Sequence, residues 1–413
     1  MTFARSAILY GLGSAAGAAT NLAMLPILSR ELGPTGYGSL GVFFSLIGLF
    51  SSVTGLNLHG LVVNRACARN GTLRPIIGAC LYALVASTGT CAAGILAGSH
   101  LIAGWTGIPP FWLWLALGAS ASQFLVNVLL GLWQAEERPV PYGMLTSSIA
   151  LLGAAISIWL VIGNDAGSVG RILGLLLSSG LGAILACAIL LRRNQVDFRP
   201  SQAVLHQAAR YGLPLIPHVL ASWAFLSADR TLVAAMAGLE QAGVYFAAAQ
   251  LAQIVTMTND AVNRAWVPWF FRQLSAPGGA DTHTICSRGR RIAIAYVVLA
   301  LLIGASAPLA TALLLGGRYA GASTIVLLLA LGYALDGVYK LFANVLFFHE
   351  RTDLVFWVTL SGGVTAVVVD CILLPVMGAA GAAIGLICGA TVSVFLSYAF
   401  AQRLHRLPWL VRG

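Results

Sequence analysis

The chain has 413 residues, of which 59% are hydrophobic and only 9% charged. A soluble domain carries roughly 25% charged residues, so there is too little polar material here to clothe a water-facing surface, and lipid must solvate much of the exterior. The formal net charge is +10, but the basic residues sit in short stretches between apolar segments, never in runs interleaved with aromatics; this excludes a nucleic-acid partner and reads as a topology signal.

A membrane-crossing helix needs about 20 apolar residues. The apolar runs predict twelve such helices, at 6–30, 36–63, 75–99, 110–134, 142–163, 169–191, 207–234, 241–270, 290–315, 322–348, 353–374 and 379–401. Turn chemistry separates them, as at Gly33-Pro34, Pro109-Pro110, Pro139-Val140-Pro141, Pro277-Gly278-Gly279 and Gly316-Gly317. The first run continues to Leu28, past an A-x-A at Ala16–Ala18, and is read as an uncleaved helix, not a signal peptide. Pro26, Pro214 and Pro217 are expected to bend the first and seventh helices. The fold class is therefore all-α integral membrane, with short connections and no large soluble domain.

Seventeen of the 23 basic residues fall in connections on the side of both termini, and Arg30, Arg171 and Arg318 fall on the other. The asymmetry predicts that both termini are cytoplasmic. Arg230, Arg264 and Lys340 remain, inside helices.

The chain also reads as duplicated. Gly33 and Gly38 match Gly238 and Gly243 at an offset of 205; Glu137-Arg138 matches Glu350-Arg351 at 213; Ile172-Leu173-Gly174 matches Ala383-Ile384-Gly385 at 211. A six-plus-six repeat follows, with bundles at 1–200 and 201–413, related by an axis along the membrane normal. Gly13/Gly17, Gly170/Gly174 and Gly381/Gly385/Gly389 carry small-xxx-small spacing, which serves close helix packing. The seven cysteines are scattered without a metal or redox spacing and are read as helix filler.

Ionisable groups at membrane depth are costly and mark cavities or partners. Asp336, Lys340 and Asn344 follow at i, i+4, i+8 on the predicted tenth helix and so share one face; Lys340 is the only lysine in the chain. The expectation is either a self-neutralised structural pair or the wall of a cavity for an anionic substrate. At offset 213 the fourth helix carries Gln123, Asn127 and Gly131. Asp229 and Arg230 are placed near the outer end of the seventh helix. Asp260, Asn263 and Arg264 lie in the inner half of the eighth, and Asn57 and His59 in the inner part of the second. His59 and Arg264 are equivalent at offset 205; a basic group at matched sites suits a phosphate, and snorkelling of the arginine is the alternative. Asp370 stands alone in the eleventh helix as a proton site or a neutral acid. There is no hydrolase triad, HExxH or Walker motif, so neither an enzyme nor an ATP-driven engine is indicated.

The stretch Leu25-Pro26-Ile27-Leu28-Ser29-Arg30-Glu31-Leu32-Gly33-Pro34, followed by Tyr37-Gly38, resembles the first loop of Wzx-type polysaccharide transporter flippases, of the multidrug/oligosaccharidyl-lipid/polysaccharide exporter superfamily. Tyr211-Gly212-Leu213-Pro214-Leu215-Ile216-Pro217, Asp229-Arg230, Val244-Tyr245 and Ala265-Trp266-Val267-Pro268 carry the likeness through the second half. The resemblance implies two six-helix bundles in a bacterial inner membrane, around a cationic cavity. It implies a flippase that moves an undecaprenyl-diphosphate-linked oligosaccharide from the cytoplasmic to the periplasmic leaflet. The expected substrate-binding residues are Arg264, Lys340, Asp336, Arg230, Asp229, Arg30, His59, Asn57, Gln123, Asn127 and Gln250, with Trp223 offering stacking to sugar. No cofactor or metal is expected; coupling by H⁺ or Na⁺ is open. A glycan polymerase and a chain-length regulator are the implied protein partners. The rival readings are a cation-coupled drug or metabolite antiporter, against which the lack of acids at depth in the first half counts, and a membrane glycan polymerase or acyltransferase, against which the short outer loops count.

Overall fold

The computed structural model describes residues 3–68, 73–275 and 282–409. The expected turn at Pro277–Gly279, together with Arg69 and Arg412, lies outside the described residues, as do the side chains of Arg5 and Cys67. Among the described residues the chain is all helix: α1 (Phe3–Val53), α2 (His59–Ala68), α3 (Arg74–Thr106), α4 (Phe111–Ala135), α5 (Pro139–Ile158), α6 (Gly167–Arg192), α7 (Gln202–Gly212), α8 (Leu215–Leu226), α9 (Ala228–Leu274), α10 (Thr282–Leu314), α11 (Ala322–Phe348), α12 (Thr352–Met377) and α13 (Ala379–Leu404).

Among the described residues ten segments are long and apolar enough to cross a membrane. Two of them, Ala19–Asn57 and Ala228–Leu274, are 39 and 47 residues long, about twice a single crossing. Each bends at a glycine, Gly33 (φ 63°, ψ 179°) and Gly238 (φ 88°, ψ 164°); Gly33 divides α1 into two crossing lengths, and the short piece of α9 before Gly238 makes up a crossing length only together with α8, which gives twelve crossings among the described residues. The first helix is interrupted at Gly33, not at Pro26.

Two boundaries depart from the sequence reading. The run 36–63 is not one helix: Gly55, Leu56 and Asn57 all have positive φ. The Gly55 N–H, freed from the helix ladder, donates to Ser87 Oγ (2.8 Å), and the Asn57 amide donates to the Ser52 carbonyl (3.1 Å). Backbone groups released at membrane depth need such internal partners. The run 207–234 falls into three pieces, α7, α8 and the start of α9; at the first break Pro214 has no N–H with which to carry the ladder from α7 into α8.

The chain divides into two compact units, Met1–Trp223 and Ala224–Gly413. In the first, α5 packs on α1 and α6, and α4 on α6; its core includes Ile77, Cys80, Phe124 and Leu129. In the second, α13 packs on α12 and α11, and α11 on α9 and α10; its core includes Phe270, Ile285, Val345 and Trp409. The α12–α13 contact is a backbone approach. A Cβ at Gly381 would meet Leu373 C at 2.7 Å, one at Gly389 the Gly362 carbonyl at 2.5 Å, and one at Gly385 would run into the Asp370 carboxylate. Lipid, not protein, covers the rest: only 22% of the most apolar window of α10 is buried, and Leu101 and Val376 are each 81% exposed.

Candidate functional site

The polar residues of the second unit assemble on facing stripes of α9 and α11. Lys340 Nζ lies 3.0 Å from Asp336 Oδ2, one turn back on its own helix, and 2.8 Å from Asp260 Oδ1 on α9. One turn further along, the Asn344 amide donates to Asn263 Oδ1 (2.8 Å). One turn back, the Asn259 amide donates to the Tyr333 carbonyl (2.7 Å), and Gly337 makes room for it, since a Cβ there would sit 2.7 Å from Asn259 Oδ1. Three successive turns are thus crosslinked by polar contacts. The Asp336 side chain is 12% exposed, Lys340 26% and Asp260 52%, so the ion pair opens at its Asp260 edge. Two carboxylates against one ammonium leave a formal charge of minus one. Arg264, one turn beyond Asp260, is exposed.

A second layer lies behind Tyr333. Asp229 is buried; it accepts from the Tyr245 hydroxyl and from the Arg230 backbone N–H (2.7 Å). The Arg230 guanidinium turns away and lies 5.1 Å from the Phe246 ring centre. Asp370 on α12 is 2% exposed, and its Oδ1 has no hydrogen-bond partner among the described residues. Gln250 is half-buried on α9.

In the first unit the candidates are less organised. Gln123 Nε2 donates to Asn127 Oδ1 (3.2 Å) on α4. His59 packs edge-on to Phe124 at 6.4 Å, with its Nδ1 buried and unpartnered. The Asn57 amide is spent on the Ser52 carbonyl, a structural use. Arg30 is exposed, three residues before the Gly33 bend.

Among the polar residues outside the expected list, Asp260 and Arg171 matter most. Asp260 is the closer of the two partners of Lys340, yet it is eighty positions away and nothing in the local pattern joins them. Arg171, counted with the outer connections, is 7% exposed inside α6. Its guanidinium donates to Ser157 Oγ (3.1 Å) and Asn21 Oδ1 (3.2 Å) and lies 5.9 Å from the Phe44 ring centre. The signal was available: Arg171 follows Gly170 and precedes Gly174, on the small-residue face that meets α5, where a Cβ at Gly174 would clash with Ser157.

The arrangement holds charge at depth without any nucleophile or metal cluster; among the described residues no group of three metal-ligating side chains occurs. The chain is 25% identical over 361 residues to the Lsg locus putative protein 1 of Haemophilus influenzae, covering 85% of this chain and 86% of the relative. Its fold matches an inward-facing multidrug resistance MATE family transporter of the MOP superfamily, with TM-score 0.71, 17% identity and 96% of each chain covered. It equally matches the lipid II flippase MurJ in an inward closed conformation, with TM-score 0.71, 12% identity, and 96% of this chain and 87% of that one covered. These solved neighbours are transporters and a flippase, and the chain shares their multi-pass membrane fold. The sequence profile described as polysaccharide biosynthesis protein matches residues 3–274, about two-thirds of the chain, and the protein belongs to that family.

Proposed function

We propose that this protein is a flippase for an undecaprenyl-diphosphate-linked oligosaccharide, an O-antigen or exopolysaccharide repeat unit. It carries this cargo by alternating access from the cytoplasmic to the periplasmic leaflet of a bacterial inner membrane, with both termini cytoplasmic. The observation that carries the reading is Lys340, a cation at membrane depth with one shielded and one exposed carboxylate partner. A cargo diphosphate presents the same chemistry as Asp260, so it can replace that carboxylate without leaving Lys340 unpaired. Arg264, one turn away and exposed, adds a second cation and offers the bidentate fork that phosphate favours. Gln250, half-buried on α9 of the same unit, supplies hydrogen bonding for sugar, and the polyprenyl tail stays in the bilayer. The family description and the MOP-superfamily fold support the same reading. A glycan polymerase and a chain-length regulator would act on the delivered units.

The test is surface-glycan display in a strain lacking this gene, complemented with wild type, Arg264→Ala or Lys340→Ala. Wild type restores display and each variant lowers it; wild-type display from both variants overturns the assignment.

One observation favours a second reading. The Asp260–Lys340–Asp336 cluster is net negative, and Asp229 and Asp370 add buried acids to the same unit, which suits a H⁺- or Na⁺-coupled antiporter of a cationic drug or metabolite. Cation-dependent dye efflux on expression, with surface glycan unchanged by deletion, would select it. In either reading coupling by H⁺ or Na⁺ falls to the acids of the second unit.

A further inference from the structure

A groove of about 340 Å³ runs between the last turns of α9 and the first turns of α10, lined by Val262, Trp266, Trp269, Arg288, Arg291 and Ile292. It is centred on a different face of α9 from the Lys340 cluster: at 3.6 residues per turn, the mean direction of Val262, Ala265, Trp266 and Trp269 is turned about 115° from that of Asn259, Asp260 and Asn263, with Trp266 nearest the polar stripe. None of these residues enters the transport reading above.

The groove combines two chemistries in one place. Arg288 and Arg291 are exposed, and among the described residues no carboxylate lies within 4 Å of either. The Arg288 guanidinium stacks 4.6 Å from the Trp269 ring centre, which fixes its plane while leaving its edge N–H groups free for an anion. Trp266 is 4% exposed and lines the groove. Val262, Ile292 and the faces of the two indoles supply an apolar floor. Arg272 and Arg290 stand at the same end of these helices, so the local field is positive. An anionic headgroup over the two arginines and an apolar chain along the floor match these groups, and lipid is the medium around the bundle. Basic, aromatic-lined pockets between crossing helices suit such headgroups.

We infer that the α9–α10 groove is a site for a resident anionic phospholipid. Arg288 and Arg291 grip the phosphate, and an acyl chain lies along Val262 and Ile292. The lipid pins the ends of α9 and α10 together.

The test uses the purified, delipidated full chain in detergent, with phosphatidylglycerol, phosphatidylcholine or inorganic phosphate added, followed by thermal unfolding and by native mass spectrometry. Wild type is expected to retain phosphatidylglycerol over phosphatidylcholine by roughly 30-fold, on the usual scale of one anionic-lipid contact per arginine, and to be stabilised only by the former. The double variant Arg288→Gln/Arg291→Gln loses both effects, while Arg272→Gln, outside the groove, keeps them. Equal retention of the two lipids by wild type, or an undiminished preference in the double variant, overturns the site. So does an equal loss with Arg272→Gln, which would make the effect a diffuse basic surface. Stabilisation by inorganic phosphate alone would overturn the lipid assignment in favour of a free-phosphate site, and displacement of phosphatidylglycerol by farnesyl diphosphate at lower concentration would reassign the groove to cargo. None of these readings depends on glycan export.

Discussion

Lys340 on α11 donates to Asp260 on α9 across 2.8 Å, and this contact decides how the charged cluster responds to mutation. Lys340→Met leaves two carboxylates facing each other, one of them only 12% exposed. Stranding a largely buried charge costs about 3–5 kcal/mol, so the apparent Tm of the purified chain should fall. Adding Asp336→Asn to Lys340→Met should restore most of the loss, because the shielded carboxylate is then gone. A simple swap, Asp336→Lys with Lys340→Asp, should fail, since it sets a new carboxylate against Asp260. The swap combined with Asp260→Asn should fold as well as wild type. If that triple variant also exports glycan normally, the cluster is structural only.

Gly33 and Gly238 share a backbone state with φ positive and ψ near 180°, a region open essentially to glycine. At Gly238 a Cβ would meet nothing within 4 Å. The cost of Gly238→Ala is therefore backbone strain alone, about 1–3 kcal/mol. An apparent Tm unchanged by this substitution would show that the bend is not imposed by the glycine. Gly238→Ala should also cost more than Ala substitution at Gly94, a mid-helix glycine that likewise has nothing within 4 Å.

The matched glycines show which features the sequence carries openly. Gly33 and Gly238 were aligned at offset 205 on identity alone, and both are helix bends. Glu137 and Glu350, aligned at 213, both leave their helices with positive φ, 54° and 56°. Apolar length and bend residues are local properties, so they survive in a one-dimensional reading. So does the Asp336–Lys340 pair, because i and i+4 meet on any helix. What stayed hidden is whatever depends on two helices meeting. Asp260 reaches Lys340 only because α9 lies on α11, and Arg171 is buried only because α6 presents its small face to α5. The break at Gly55–Asn57 was hidden for another reason: its freed backbone groups are satisfied by Ser87, on α3, and by the Asn57 side chain itself, so the apolar run continues through it undisturbed.

Position 385 tests the α12–α13 approach. A Cβ on Gly385 would run into Asp370 and would sit 2.9 Å from the Ala366 carbonyl. Gly385→Ala should destabilise the second unit by about 1–3 kcal/mol, the usual cost of overpacking. Adding Asp370→Ala removes the side-chain clash and should recover part of that loss, leaving the backbone contact. Strict additivity of the two substitutions in thermal unfolding would contradict this, because residues in contact should couple. The equivalent pair in the first unit, Gly174 with Ser157, predicts the same non-additivity for Gly174→Ala and Ser157→Ala.

The segment after α13 should loosen in acid. His405 lies 5.7 Å from His349, in rings tilted by 37°, and its pKa is held below the ordinary value by burial, then by the neighbouring imidazole. A histidine whose folded pKa is depressed stays neutral while the opened segment already takes a proton. Stability is therefore full above about pH 6.5 and declines as pH falls through that value toward the lowered folded pKa. The opening should stay local, because Trp409 is anchored against Phe342 (5.2 Å, 90°) and over Gly289, and the Gln402 amide holds the Leu407 carbonyl. Hydrogen exchange should show protection of residues 403–406 dropping between pH 7.5 and 5.5 after correction for intrinsic rates, while α11 and α12 keep theirs. His405→Asn removes the proton site and should flatten this dependence. If the variant loosens with falling pH as much as wild type, another group drives the change.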